Sequence, residues 1–174
     1  MTLVKQGLLS LMLIGCVASG ISAANVSRGV SVVMPLSKGT VHGVVRFEEL
    51  KEGVRMFGQL AGFTPNSTHG FHVHECGDCT GLEGASAGGH YNPTQMVHGG
   101  PEMDHHHRGD LGNLEADGNG VASFNVTIKG LYLNGPQSII GRGVIIHEKA
   151  DDLTTQPSGG SGARIGCGVI GISQ

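Results

Sequence analysis

The chain has 174 residues, 39% of them hydrophobic and only 14% charged, with a mean hydropathy of +0.03. That is the length of one domain, enough for a real core, and the chain is too apolar to be disordered throughout. Lys and Arg number 11 against 14 Asp and Glu, a net charge of −3, which excludes a nucleic-acid binder working by bulk positive charge. Glycine is abundant at 31 residues, while aromatics are scarce, with five Phe, two Tyr and no Trp. The core must then come from Val, Ile and Leu, and the frequent glycines imply many tight turns, which favours an all-β chain.

Residues 1–24 read as an export signal. Lys5 supplies a positive start, Gly7 to Val17 is an uncharged apolar run, and Ser22-Ala23-Ala24 offers small residues for cleavage before Asn25. The run is shorter than the roughly 18–20 residues a membrane span needs. Removing it takes away Lys5 and leaves 10 basic against 14 acidic residues, a net charge of −4. Leu13-Ile14-Gly15-Cys16 also resembles a bacterial lipobox, so a lipoprotein anchored through Cys16 is the alternative, and the one route to a membrane partner. On either reading residues 25–174 are a single domain working outside the cytosol, periplasmic or extracellular, where disulfides persist. Sequons at Asn25, Asn66 and Asn125 would matter only in a eukaryotic secretory pathway.

Beyond the signal, short β-rich runs are punctuated by Gly, Asn, Asp and Pro. Strands are predicted at Gly29–Leu36, Thr40–Glu48, Val54–Leu60, His69–His74, Leu111–Ala116, Val121–Ile128, Gly141–His147 and Ile165–Ile172. In the second of these Val41, Gly43, Val45 and Phe47 share one face, with Thr40, His42, Val44 and Arg46 on the other. Asp117-Gly118-Asn119-Gly120 reads as a hairpin turn. Short strands in this number point to a sandwich or barrel. Two segments break the rhythm, Glu75–Asp110 and Glu148–Arg164, and structureless loops of such length in a compact domain are usually functional.

Eight of the ten histidines lie between His69 and His107. His72 and His74 stand two apart on a predicted strand, so their imidazoles face the same way and can reach one metal. His90, His98, His107 and Asp110 follow in the long loop, and three imidazoles with a carboxylate suit four-coordinate zinc. Their spacing is too wide for a zinc finger, so a loop must fold around the ion. Chemistry alone leaves the choice among His105, His106 and His107 open. His147 closes another predicted strand; read alone, it is more often structural than a ligand. Cys79 and Cys167, 88 positions apart, could close a long loop in an exported chain. Cys76-Gly-Asp-Cys79 also has C-x-x-C spacing, but no thioredoxin-like βαβ pattern surrounds it.

The order of several motifs resembles that of the copper–zinc superoxide dismutases. They are Gly70-Phe-His-Val-His-Glu75, Gly89-His-Tyr-Asn-Pro93, His98-Gly-Gly-Pro101, Gly109-Asp-Leu-Gly-Asn113, His147-Glu-Lys-Ala-Asp-Asp152 and Gly166-Cys-Gly-Val-Ile-Gly171. The resemblance covers nearly everything after the signal. It implies an eight-stranded Greek-key β-barrel, flattened and immunoglobulin-like, with two long functional loops. It implies copper held by His72, His74, His90 and His147, and zinc held by His90, His98, His107 and Asp110, with His90 bridging. It selects His107 because that residue precedes Asp110 by three. Asp151 would link His72 to His98, Arg164 would guide the superoxide anion, and Cys79–Cys167 would be the intrasubunit disulfide. The activity implied is disproportionation of superoxide to dioxygen and hydrogen peroxide, by Cu(II)/Cu(I) cycling, in a homodimer.

Two features depart from the family. The loop from Asp152 to Arg164 is short and lacks the charged residues that cytosolic eukaryotic members place there. Steering would then rest on Arg164, with Lys149 or Arg108 as helpers, and the rate should depend weakly on salt. Cys76 stands where cytosolic relatives carry a Phe at the dimer interface, so it is a candidate free thiol, an intersubunit disulfide or a rival partner for Cys167. The resemblance therefore does not extend to the eukaryotic dimer mode. Two other functions compete. A metal-storage or copper-delivery protein would not need Arg164, and a copper-only dismutase would lack the zinc set.

Overall fold

The computed structural model describes residues 25–174. The expected signal over residues 1–24, with Cys16, lies outside the described residues. Among these, eight strands run in chain order: β1 Arg28–Pro35, β2 His42–Leu50, β3 Gly53–Ala61, β4 Thr68–His74, β5 Asp110–Glu115, β6 Val121–Lys129, β7 Gly143–His147 and β8 Arg164–Ile172. They match the eight predicted strands, and no boundary differs by more than two residues. The intervening chain adds one short 3₁₀ segment, Leu82–Ala87.

All pairings between these strands are antiparallel, and the strands form one sheet in the order β5-β4-β7-β8-β1-β2-β3-β6. The sheet curls until its two ends, β5 and β6, face each other across the turn that joins them, so the barrel is nearly closed. That turn is the expected one. Asp117 Oδ1 accepts from the amides of Asn119 and Val121 at 2.8 and 2.9 Å, and Gly120 takes φ +72.

The interior is filled by alternate residues of each strand. Val33, Val45, Phe47, Met56, Leu60, Phe71, Val73, Val144, Ile146 and Ile170 are all buried in it, joined by Leu131, Leu133 and Ile139 from the β6–β7 connection. β4 and β7 differ from the others in being buried on both faces. Their inward residues (Phe71, Val73, Val144, Ile146) belong to the barrel core, while His72, His74, Ile145 and His147 point outward. A strand is buried twice only when something covers its outside. Here the cover is the pair of long connections, 75–109 and 148–163.

The first connection is tied down by the Cys79–Cys167 disulfide, with Cα atoms 5.8 Å apart. Ala87, Ile145 and Cys167, with Leu36 and Cys79, make a small second core between the 3₁₀ segment and the outer face of β7 and β8. Cys76 is free and exposed, so it does not displace Cys79 as the partner of Cys167.

Candidate metal centre

Two groups of potential ligands converge between the outer barrel wall and the two long connections. His72, His74, His90 and His147 form one, and His90, His98, His107 and Asp110 the other; in each, the ligand atoms lie within 4.8 Å of one another, and all are buried. The sequence-predicted ligands are thus brought together without exception. His107 joins the cluster, whereas His105 is exposed and His106 turns its Nδ1 to the His107 carbonyl at 2.7 Å.

Hydrogen bonds fix which ring nitrogen of each histidine is free. His74 Nδ1 donates to the Gly88 carbonyl at 2.9 Å, His147 Nδ1 to the Gly162 carbonyl at 3.2 Å, and His72 Nε2 to Asp151 Oδ2 at 2.7 Å. The opposite nitrogens, His74 Nε2, His147 Nε2 and His72 Nδ1, have no partner, and neither has His90 Nε2. Four buried, unpaired imidazole nitrogens turned toward one point are costly unless something binds them. Burial also keeps three of the rings uncharged: it pushes His72 down to about 4 and His147 to about 3, and lowers His74 further. Neutral imidazoles sharing one focus are the donors a copper ion takes.

The second group is organised by Asp110. Its Oδ1 lies 2.8 Å from His90 Nδ1, 3.1 Å from His98 Nδ1 and 3.2 Å from His107 Nδ1. Its Oδ2 accepts from the amides of Gly99 at 3.1 Å and His107 at 2.8 Å. Asp151 Oδ1 accepts from His98 Nε2 at 2.9 Å, so Asp151 joins His72 to His98 as expected. Burial disfavours charge on Asp110 and Asp151, yet hydrogen bonds from the histidines hold both carboxyls far below their usual range. Burial likewise opposes charge on His98, but Asp110 and Asp151 outweigh it and raise the ring to about 9. The ligand atoms of this set, three nitrogens with one oxygen within 4.8 Å of one another, suit zinc.

The backbone locks the ligand-bearing segments to one another. Val73, between His72 and His74, donates to the Gly109 carbonyl at 2.9 Å. Gly109, beside Asp110, donates to the Tyr91 carbonyl at 2.8 Å, and Tyr91, beside His90, donates back to the Val73 carbonyl at 2.8 Å. A Cβ at Gly109 would strike the Val73 carbonyl, which is why the G-D-L-G-N motif opens with glycine. Its Asn113 side chain grips both backbone groups of Asp151, accepting from the amide at 2.8 Å and donating to the carbonyl at 2.9 Å. The sequence reading did not single out Asn113; only its place in that motif marked it.

A chain showing these two sets can be compared with known proteins. A profile of the family described as Copper/zinc superoxide dismutase (SODC) matches residues 41–170. The chain belongs to that family. It is similar to the Superoxide dismutase [Cu-Zn] of Paramecium bursaria Chlorella virus 1, at 42% identity over 88% of this chain and 84% of that one. It is also similar to Superoxide dismutase [Cu-Zn] A of Xenopus laevis, at 44% over 82% and 97%. To the Extracellular superoxide dismutase [Cu-Zn] of Brugia pahangi it shows 38% identity over 81% and 74%. Among solved structures, the clock protein EA4 superposes with a TM-score of 0.79 at 38% identity, covering 87% of this chain and 98% of its own. The extracellular relative and the disulfide both accord with export.

The cleft above the unpaired nitrogens has a volume of about 470 Å³ and is walled by His74, His90, His147, Gly162 and Arg164, among others. Arg164 donates through Nη1 to the Gly84 carbonyl and through Nη2 to that of Gly88 at 2.6 Å. Gly88 therefore holds both Arg164 and His74, and the disulfide-pinned connection sets the guanidinium relative to the histidines. Of the two expected helpers, Lys149 lays its stem against Gly162 in the cleft wall. Arg108 does not serve: its guanidinium lies against Gly130, after β6, and it does not line the cleft. The cleft also carries one acidic side chain, Glu75.

Proposed function

We propose that the chain disproportionates superoxide to dioxygen and hydrogen peroxide, with copper held by His72, His74, His90 and His147, and zinc by His90, His98, His107 and Asp110. The observation that carries this division is the tautomer pattern, which leaves four unpaired nitrogens at one focus while His90 turns its other nitrogen to Asp110. When bound, copper supplies the one-electron couple that takes an electron from one superoxide and returns it to the next, and zinc supplies fixed positive charge. Arg164 draws the anion into the cleft and orients it beside His147 and His90. His90 Nε2 is the atom at which a proton is held for the departing peroxide. Asp151 and Asp110 keep the imidazoles aimed through both half-reactions.

The compartment and assembly belong to the same reading. Residues 1–24 serve as the signal and residues 25–174 as the working domain, periplasmic or extracellular. Mass spectrometry of the mature N-terminus decides between Asn25 and a lipidated Cys16. A homodimer is supported by outward side chains on adjacent strands, Val32 and Met34 of β1 and Val169 of β8, which are 57%, 60% and 43% exposed.

The test is the dismutation rate of residues 25–174 loaded with copper and zinc, beside a His147→Ala control. The expected rate approaches the diffusional ceiling of about 10⁹ M⁻¹s⁻¹, for which superoxide dismutases are a standing example. The control should fall to background. A chain that binds both metals without excess rate would overturn the activity.

A further inference from the structure

Gln156, an exposed residue in the middle of the 148–163 connection, belongs to no motif that the resemblance uses. Its side chain nonetheless grips the backbone of His98. Gln156 Oε1 accepts from the His98 amide at 2.8 Å, and Gln156 Nε2 donates to the His98 carbonyl at 2.9 Å. The same Nε2 also donates to the Thr154 carbonyl at 3.1 Å, which orients the amide on its own loop. His98 has four polar groups. The segment from Asp151 to Gln156 occupies three of them: the amide, the carbonyl and ring Nε2. The fourth, Nδ1, is left to the zinc set, 3.1 Å from Asp110 Oδ1.

We infer that Gln156 is a positioning residue for zinc, a planar clamp that fixes the His98 peptide so that its imidazole meets the ion without reorganisation. The inference rests on the zinc assignment made above. A loop-borne ligand has no sheet ladder to hold it, and a side-chain amide is a neutral group that offers a donor and an acceptor in one plane. Groups that orient metal ligands from outside the ligand set typically change metal affinity 10–100-fold when removed. Glutamate at this position keeps the acceptor and loses the donor. Because Gln156 is exposed, its replacement removes no core contact, and the barrel should fold unchanged.

The experiment measures zinc release to excess chelator from the copper- and zinc-loaded protein, for wild type, Gln156→Ala and Gln156→Glu. Copper content and the melting temperature of the metal-free form are followed alongside. Gln156→Ala should release zinc 10–100-fold faster, Gln156→Glu should fall between, and copper content and metal-free melting should match wild type. Zinc release from Gln156→Ala within twofold of wild type overturns the clamp. So does faster release accompanied by an equally destabilised metal-free protein, which would make Gln156 a general loop tie. A wild-type chain that takes up copper and no zinc overturns the zinc assignment itself, an outcome distinct from failure of the clamp.

Discussion

The proposed copper histidines stand mostly on strands, while the proposed zinc residues stand mostly on a loop. His72 and His74 are successive outward residues of β4 and His147 ends β7, so the barrel's own ladder sets their separation. His90, His98 and His107 lie in the 75–109 connection, and only Asp110 begins a strand. What the ladder does for the first set is done for the second by other means: the Val73–Tyr91–Gly109 triangle, the five contacts of Asp110, and the grip of Asp151 and Gln156 on His98. Strand-borne sites inherit their precision from the fold, whereas a loop-borne site needs an outer layer of its own. Asp151 touches both halves, because its two oxygens each hold one imidazole.

The largest break in this contrast should come from the strand side. Replacing His74 by Ala removes a ligand whose place is fixed by β4, and no loop movement can substitute for it. Dismutation should fall by at least 10³-fold, with copper content falling in parallel and the barrel intact by circular dichroism. A weaker effect should follow from attacking the outer layer. Gly159 sits at φ +66 beside Asp151, and a Cβ there would collide with Asp151 Oδ1 and crowd His98 Nε2. Gly159→Ala should lower zinc affinity 10–100-fold while copper affinity changes less, read by competition with chelators. Equal losses at both metals would mean that Asp151 supports the two halves alike, and the contrast would lose its basis.

A sharper comparison concerns the connection that carries Arg164's partners. Replacing Cys79 and Cys167 by Ser opens a loop of 88 positions, for which the chain-entropy estimate is about 4–5 kcal/mol. It also frees the segment whose Gly84 and Gly88 carbonyls hold the guanidinium. Denaturant unfolding should show the stability loss. Activity per bound copper should fall about tenfold, since the metal set survives while the anion guide is displaced.

The same split governs what could be read from the amino-acid order. β4 was legible because the H-x-H spacing follows from the two-residue repeat of a strand, and β7 because it is a short apolar run closed by His147. The zinc residues were visible as a group, yet which of His105, His106 and His107 would join was not, because a loop has no period to phase them. The family resemblance resolved that choice. Gln156 left no trace at all, since one amide in a Thr-Thr-Gln-Pro-Ser loop looks solvated until the fold brings it against a residue 58 positions away. Arg108 misled for the opposite reason: it neighbours His107 in sequence while its side chain packs elsewhere.

The smallest expected effect tests how the anion reaches the site. From Leu153 to Ala163 the connection holds no charged side chain, and Asp152 before it is acidic. Around the cleft Arg164 is opposed by Glu75, with Lys149 close to the wall. One or two local cations on a net-negative protein make a short-range attraction rather than a broad field. Over such distances the roughly 8 Å Debye length at physiological ionic strength removes little. The rate constant should therefore fall less than tenfold between low and physiological salt, and Arg164→Ala should lower it about tenfold while flattening what salt dependence remains. A steep salt dependence that persists in Arg164→Ala would place the steering charge outside the cleft, on residues beyond the two long connections.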